Sequence, residues 1–480
     1  MKKFLKTGTF IYAVLFGACV FILLQSPLAP FAKRIVGIDS GIFIYSARQI
    51  LNGQTMYKDI VEQKGPFLFF IDAAALLIFN RHFIGIWFFE LISLFAASII
   101  MYKTARFFAD KILSLSAVIA GMLFLVICIG RGNLTEEWAL PYISLAMYIF
   151  IDYLKNNKLL TVLRLFILSL TFVLTFMLRA NLAAVWAGFG IVLLIKWIVE
   201  KQFKELFRSL AFIVLFTTLS LLPFFLYFYL KDALPDAVYC VFTFNMFEYA
   251  SGTNRFMAIL TALFNISKIG IIIPFLIAIY MFFREKTFVQ GGVLLALICT
   301  WLACSLGLGF WHYYAIFVPL LVIPYAYLFA IIKENIFKRI YVFLFIIFIA
   351  FNAVFIGRQL LLIYNNYSFK KTDEEMKVEK LTEIITQNSK PSDKITVKSL
   401  SNILYLYSGR TSATRFPYAL WSSLAREHYI KDIENALPKL IVQDSTLNSD
   451  EWLKMDSFLY NRYQRIEPDI KKYDIWKIKE

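Results

Sequence analysis

Four charged residues could carry a reaction: Asp39, Lys64, Glu136 and Glu137. Asp39 opens the stretch GIDSGIFIYSARQILNG, and Lys64 stands in KGP at the end of the same loop. Glu136 and Glu137 lie in RGNLTEEW, behind Arg131. A carboxylate within reach of a hydroxyl or amine can act as a general base, an effect of about 10²–10⁴-fold. Lysine and arginine can bind a phosphate, lysine as a point charge and arginine as a planar fork. Each residue also has a structural use. Asp39 could be the N-cap of a short helix. Lys64 could snorkel to lipid headgroups. Thr135 could cap the next helix, leaving Glu136 and Glu137 to complement its dipole. Arg131 is either a phosphate partner or an interface anchor. His312 and Tyr313, in GFWHYYA, fit an aromatic belt as well as a site. Glu90, inside an apolar segment, calls for a function or a partner. HExxH, P-loop and GxGxxG motifs are absent, and His82, His312 and His428 lack metal-ligand spacing.

Membrane helices must position these residues. The 480-residue chain is 60% hydrophobic and 17% charged, with a mean hydropathy of +0.66. Apolar runs of roughly 18 residues or more recur along it, long enough to span a bilayer, and in lipid such runs must be helical. The net charge of +16 is not a nucleic-acid signature. From Arg358 onward 20 Lys/Arg face 17 Asp/Glu, so the remaining +13 belongs to the first part, largely in short loops where it sets topology. The five cysteines are scattered with no C-x-x-C, and read as small packing residues.

The pattern predicts an all-α polytopic membrane protein of about eleven spans over residues 1–357, then a small α/β extracytoplasmic domain over 358–480. The first span, near Thr7–Leu28, follows Lys2, Lys3 and Lys6, lacks an A-x-A cleavage site and reads as uncleaved, which puts the N-terminus in the cytoplasm. GPFLFFIDAAALLIFN, sixteen residues, is short for a span and reads as an interfacial or re-entrant helix with Pro66 in its first turn. Later spans are expected near 83–102, 112–130, 138–155, up to Arg179, up to Lys196, up to Leu230, up to Arg284, up to GFWHYYA, up to Lys333 and at 340–357. This register places the basic clusters inside and every polar constellation outside. Phe43, Ala47, Ile50 and Leu51 make the first-loop segment an amphipathic helix closed by Gly53, expected on the outer membrane surface. In the tail, Leu381, Ile384 and Ile385 mark a helix, ITV, LIVQ and DIWKI mark strands, and LSNILYLYSG marks a second helix.

The order of Asp39, a helix ending in LNG, Tyr57 with Asp59, then KGP resembles the first outer loop of GT-C integral-membrane glycosyltransferases, relatives of protein O-mannosyltransferases and the lipid A aminoarabinose transferase. NLTEE after the third span, WHYY near the ninth and the ILYLYSGRTSATRF tail extend the resemblance over the chain in outline. It implies a donor sugar on a polyprenyl phosphate. It further implies an acid at Asp39 acting at the acceptor or as base, a second acid at Glu136 or Glu137, and a phosphate contact at Lys64. Some relatives carry an arginine close behind the first acid; here the nearest is Arg48, with Arg131 as a substitute.

Outward-facing polar residues agree with this reading, because an activated sugar reaches that side only on a lipid carrier. The expected activity is a hexosyl- or pentosyltransferase that moves sugar from a polyprenyl-phosphate donor, with inversion. Its acceptor would be a cell-surface glycan, teichoic-type polymer, lipid or protein, and its partners include membrane lipid but no nucleic acid. The catalytic candidates are Asp39, Glu136 and Glu137; the substrate-binding candidates are Lys64, Arg131, Arg48, Tyr57, His312 and Tyr313. No metal site or cofactor is specified, and a divalent cation requirement is left open. A lipid-glycan flippase and an inactive glycan-binding scaffold are the alternatives. A flippase would place polar groups at mid-membrane on broken helices.

Overall fold

The computed structural model describes residues 8–157, 159–249, 254–306, 309–335, 339–399, 402–418, 422–445, 457, 461–470 and 473–479. The chain forms two compact units. One comprises residues 1–30, 86–224 and 252–366; the other comprises 31–85, 225–251 and 367–480.

Among the described residues, six helices are long and apolar enough to cross a bilayer: Ile84–Ala105, Lys111–Cys128, Ala180–Val199, Phe203–Leu230, Phe288–Ser305 and Trp311–Glu334. The protein is a multi-pass membrane protein. Eleven spans were expected; the eleventh position holds the helix Arg339–Tyr367, and four other positions hold helices of different character. Gly8–Leu23 and Val162–Phe176 are apolar but shorter. Thr135–Asn156 is long but carries Glu136, Glu137, Asp152 and Lys155. The expected eighth span is two helices, Arg255–Lys268 and Ile272–Glu285, bent by 94°. Gly270 lies in the break at φ +82°, and a Cβ there would sit 2.3 Å from the Phe351 ring. Only glycine takes that backbone at that separation.

The first unit is a helical bundle whose cross-packing depends on small residues. Ala184–Val199 lies against Phe288–Ser305, and a Cβ on Gly188 would fall 2.4 Å from the Ala296 backbone. Such close approach is how helices gain contact in lipid, where burial of apolar surface supplies no drive. Lys111–Leu123 packs on Val318–Glu334, and Thr135–Asn156 on Val162–Phe176.

The second unit holds a five-stranded sheet in the order β2-β1-β3-β5-β4: β1 Lys394–Lys398, β2 Thr411–Ser412, β3 Leu440–Asp444, β4 Tyr463–Ile470 and β5 Tyr473–Ile478. The first three are parallel and the last two antiparallel. The strands read from ITV, LIVQ and DIWKI are β1, β3 and β5. The expected tail helices are Asp373–Asn388, which opens with a Thr372–Glu375 capping box, and Ile403–Ser408.

The first loop belongs to this same unit. Its helix, Ile38–Leu51, packs on Pro66–Ile78 and on Ile403–Ser408. The Tyr45 ring lies tilted against that of Tyr405 with centroids 5.1 Å apart, and its hydroxyl accepts the Ser412 N–H at 2.8 Å. The Val61 N–H donates to the Arg415 carbonyl at 2.7 Å. The surface-lying helix expected from amphipathicity is therefore corrected. Ser40–Ala47 and Gln49 are all buried, because the tail helix covers the face that periodicity assigned to solvent.

Candidate active site

On the second unit, Asp39 sits in the first turn of its helix, and the N-cap is Gly37, which makes no side-chain cap. The capping use of Asp39 is thus ruled out by register. Its carboxylate is half-buried and makes no hydrogen bond or ion pair among the described residues. Its negative charge is felt by Tyr418. Burial pushes that phenol well above its ordinary range, and the charge of Glu62, the hydrogen bond to Glu62 and the charge of Asp39 push it further. Glu62 is buried and accepts two hydrogen bonds, from the Tyr418 hydroxyl at 2.9 Å and from the Lys64 N–H at 2.7 Å. Gln63 and Lys64 are clamped from the carbonyl side as well. The Tyr57 hydroxyl donates to the Lys64 carbonyl at 2.7 Å, and the Asn245 amide donates to the Gln63 carbonyl at 2.8 Å.

These bonds fix the backbone at the mouth of the helix Pro66–Ile78, whose N1 proline has no N–H to satisfy. The half-buried Lys64 ammonium has no hydrogen bond or ion pair among the described residues. Tyr57 is fully buried against Phe228 at φ 69°, and burial first, then the Cys240 and Glu62 charges, raise its hydroxyl far above the ordinary range. It works as a donor to the backbone. Asp59 accepts the Thr55 N–H at 2.7 Å and shapes the same turn. Arg48 donates to the Leu406 carbonyl at 3.2 Å and covers the Phe83 ring at 4.6 Å. Burial, then the Arg81 charge, lowers its pKa.

On the first unit, the turn between the short helix Leu125–Cys128 and Thr135–Asn156 passes through three left-handed residues, Gly130, Gly132 and Asn133. Leu134 is the N-cap, so Thr135 falls inside the helix and does not cap it. The Thr135 hydroxyl donates instead to Glu136 Oε2 at 2.9 Å. Glu136 is 1% exposed, and its Oε1 lies 3.1 Å from Arg179 Nη1. The Arg179 guanidinium covers the Tyr313 ring at 4.2 Å, and His312 meets the same ring edge-on at 4.7 Å. Glu136, Arg179, Tyr313 and His312 thus form one contiguous set from three elements. Glu137 points elsewhere and lines a small cavity with Glu90. Arg131 is exposed, and its carbonyl accepts the Ser26 hydroxyl at 3.3 Å. Among the described residues no group of three or more His, Cys, Asp or Glu is arranged to hold a metal ion.

No family model matches the chain, and no curated relative matches it. Solved structures do. The chain is similar to ArnT from Cupriavidus metallidurans bound to undecaprenyl phosphate, at 13% identity and TM-score 0.65 with 98% of each chain covered. The apo form of that protein matches at 12% identity and TM-score 0.63, again over 98% of each chain. The archaeal oligosaccharyltransferase AglB from Archaeoglobus fulgidus, in complex with an inhibitory peptide and a dolichol-phosphate, matches at 14% identity and TM-score 0.56. That match covers 92% of this chain and 70% of the other. The fold is GT-C.

Within this GT-C fold, three residues matter that sequence reading passed over. Glu62 stands in EQKGP and could have been suspected as an acid two residues before a buried N–H. Tyr418 had no signal, being 356 residues away from its partner. Arg179 ends an apolar helix and was read only as a span boundary; its partner Glu136 is 43 residues back.

Proposed function

We propose that the protein is a glycosyltransferase that moves a sugar from a polyprenyl-phosphate donor to an acceptor outside the cytoplasm. The observation that carries this reading is the pair of unpartnered ions on the second unit. Asp39 and Lys64 are half-buried and unpaired among the described residues, while neighbouring Glu62 and Asp59 are bonded. In a chain this apolar, a charged side chain that the protein leaves without a partner is open to a ligand of opposite charge. Lys64, its backbone held by Glu62 and Tyr57, is the contact for the donor phosphate. Asp39 is the base that takes the acceptor proton as the acceptor attacks the anomeric carbon opposite the departing phosphate, with inversion. Phosphate leaves well when its charge is balanced, so cations can replace a general acid. On the first unit, taken by itself, Glu136, Arg179, Tyr313 and His312 are a second candidate group for binding substrate, and Arg131 is a candidate phosphate contact. Arg48 and Tyr57 act as braces. The bound undecaprenyl phosphate and dolichol-phosphate of the two similar proteins support a lipid phosphate as donor. Eleven spans, a cytoplasmic N-terminus and an outer sheet domain complete the proposal.

The test is transfer in proteoliposomes with a radiolabelled polyprenyl-phosphate sugar. Release of free polyprenyl phosphate together with a labelled product is expected. Movement of the intact donor across the bilayer without cleavage would instead identify a flippase. The acceptor is then found by compositional analysis of surface polymers from a deletion strain.

A further inference from the structure

Glu90 and Glu137 meet inside the first unit, 2% and 7% exposed. Glu90 Oε1 accepts the N–H of Asn133. Its other oxygen and both oxygens of Glu137 have no hydrogen-bond donor among the described residues, and neither does the nearby Ser93 hydroxyl. As two carboxylates this arrangement is untenable, since each buried unpaired ion costs several kcal/mol on its own. As a carboxylic acid facing a carboxylate it is a hydrogen bond, and the two side chains line one small cavity together. The adjoining cavity is about 10 Å³ and otherwise walled by Leu23, Leu94, Ile129, Trp138 and Leu140. That is the space of one water at most, so the pair holds a proton and not a substrate.

The turn above depends on this floor. Asn133, at φ 58°, donates its N–H to Glu90 and accepts the Trp138 Nε1–H at its side-chain oxygen, 2.9 Å away. Gly132, at φ 79°, leaves no room for a Cβ, which would lie 2.5 Å from the Ser26 hydroxyl and 3.4 Å from Glu90 Oε1. Glu136 follows the same turn by three residues, and its aim toward Arg179 is inherited from it.

We propose that Glu90 and Glu137 share a single proton as one buried acid–carboxylate pair, and that Glu90 is the positioning residue for the 130–135 turn that presents Glu136. The second half rests on the glycosyltransferase reading; the first does not.

The full chain in nanodiscs, with carbon-13 glutamate, separates the two by isotope-edited infrared spectroscopy. A protonated carboxylic-acid carbonyl band is expected in the wild type at neutral pH and should vanish in the Glu90→Gln/Glu137→Gln double variant. Its absence from the wild type, or its persistence in the double variant, overturns the shared proton. In transfer assays Glu90→Leu should lose about 100-fold, the scale of an ångström of misplacement, while isosteric Glu90→Gln retains transfer within about threefold. Equal losses in both variants, with both proteins intact by gel filtration, overturn the positioning role. The infrared result does not depend on what the enzyme transfers, so a failed assay and a failed proton pair are told apart.

Discussion

Arg179→Met offers the sharpest test of the first-unit cluster. The substitution keeps an unbranched apolar stem and removes the cation that lies 3.1 Å from Glu136, itself 1% exposed. Removing one partner of a buried ion pair costs about 3–5 kcal/mol, most of it the stranded charge. Loss of the contact over Tyr313, at 4.2 Å, adds about 1 kcal/mol. Glu136→Gln in the same background removes the stranded charge, and most of the stability should return. Equilibrium unfolding in mixed micelles of the four members of this cycle measures the coupling. A value near 3 kcal/mol is expected, because two charges in contact do not behave additively. Transfer assays on the same proteins divide stability from chemistry: the double variant should be nearly as stable as wild type yet inactive. If the two single effects add within about 0.5 kcal/mol, the ion pair carries no energy and the cluster argument fails.

Three further outcomes follow from the second unit. Asp39→Asn should leave unfolding within about 0.5 kcal/mol of wild type, since the carboxylate has no bond to lose, while transfer drops about 10²–10⁴-fold; a fully active variant refutes its role as base. Glu62→Ala strips the acceptor from two buried donors, each costing about 1–3 kcal/mol, and should raise KM for the lipid donor through displacement of Lys64; an unchanged KM would show that Lys64 needs no brace. Glu375 is pushed up by burial, but bonds from the Thr372 N–H, Arg34, the Thr372 hydroxyl and the Ile35 N–H together hold it below its ordinary value. A depressed carboxyl stabilises the fold above its unfolded pKa, about 4.3, and that stability is lost as pH falls through the lower folded value. Hydrogen exchange of the Asp373–Asn388 helix should therefore show Glu375→Gln weaker than wild type by about 2 kcal/mol at neutral pH, with the gap closing in acid as the carboxyl protonates; a gap that persists once it is protonated refutes the linkage.

Composition and periodicity determined much of this protein. Long apolar runs permit only helices in lipid, and this holds wherever the chain later packs. The short apolar, β-branched runs in ITV, LIVQ and DIWKI placed β1, β3 and β5, and Gly53 at φ 92° closes the first-loop helix as its position implied. Asp39 and Lys64 were visible because charge is rare in such a chain and costly where it occurs. Tertiary structure alone decided what each charge meets. Thr135 and Asp39 missed their expected caps by one or two residues of register, a shift invisible to residue type. Glu136 and Glu137 are adjacent and chemically identical, yet the 100° between successive helix positions sends one to Arg179 and the other to Glu90. Tyr418 and Glu62 illustrate the same limit: a hydrogen bond depends on separation in space, and 356 positions of chain say nothing about that.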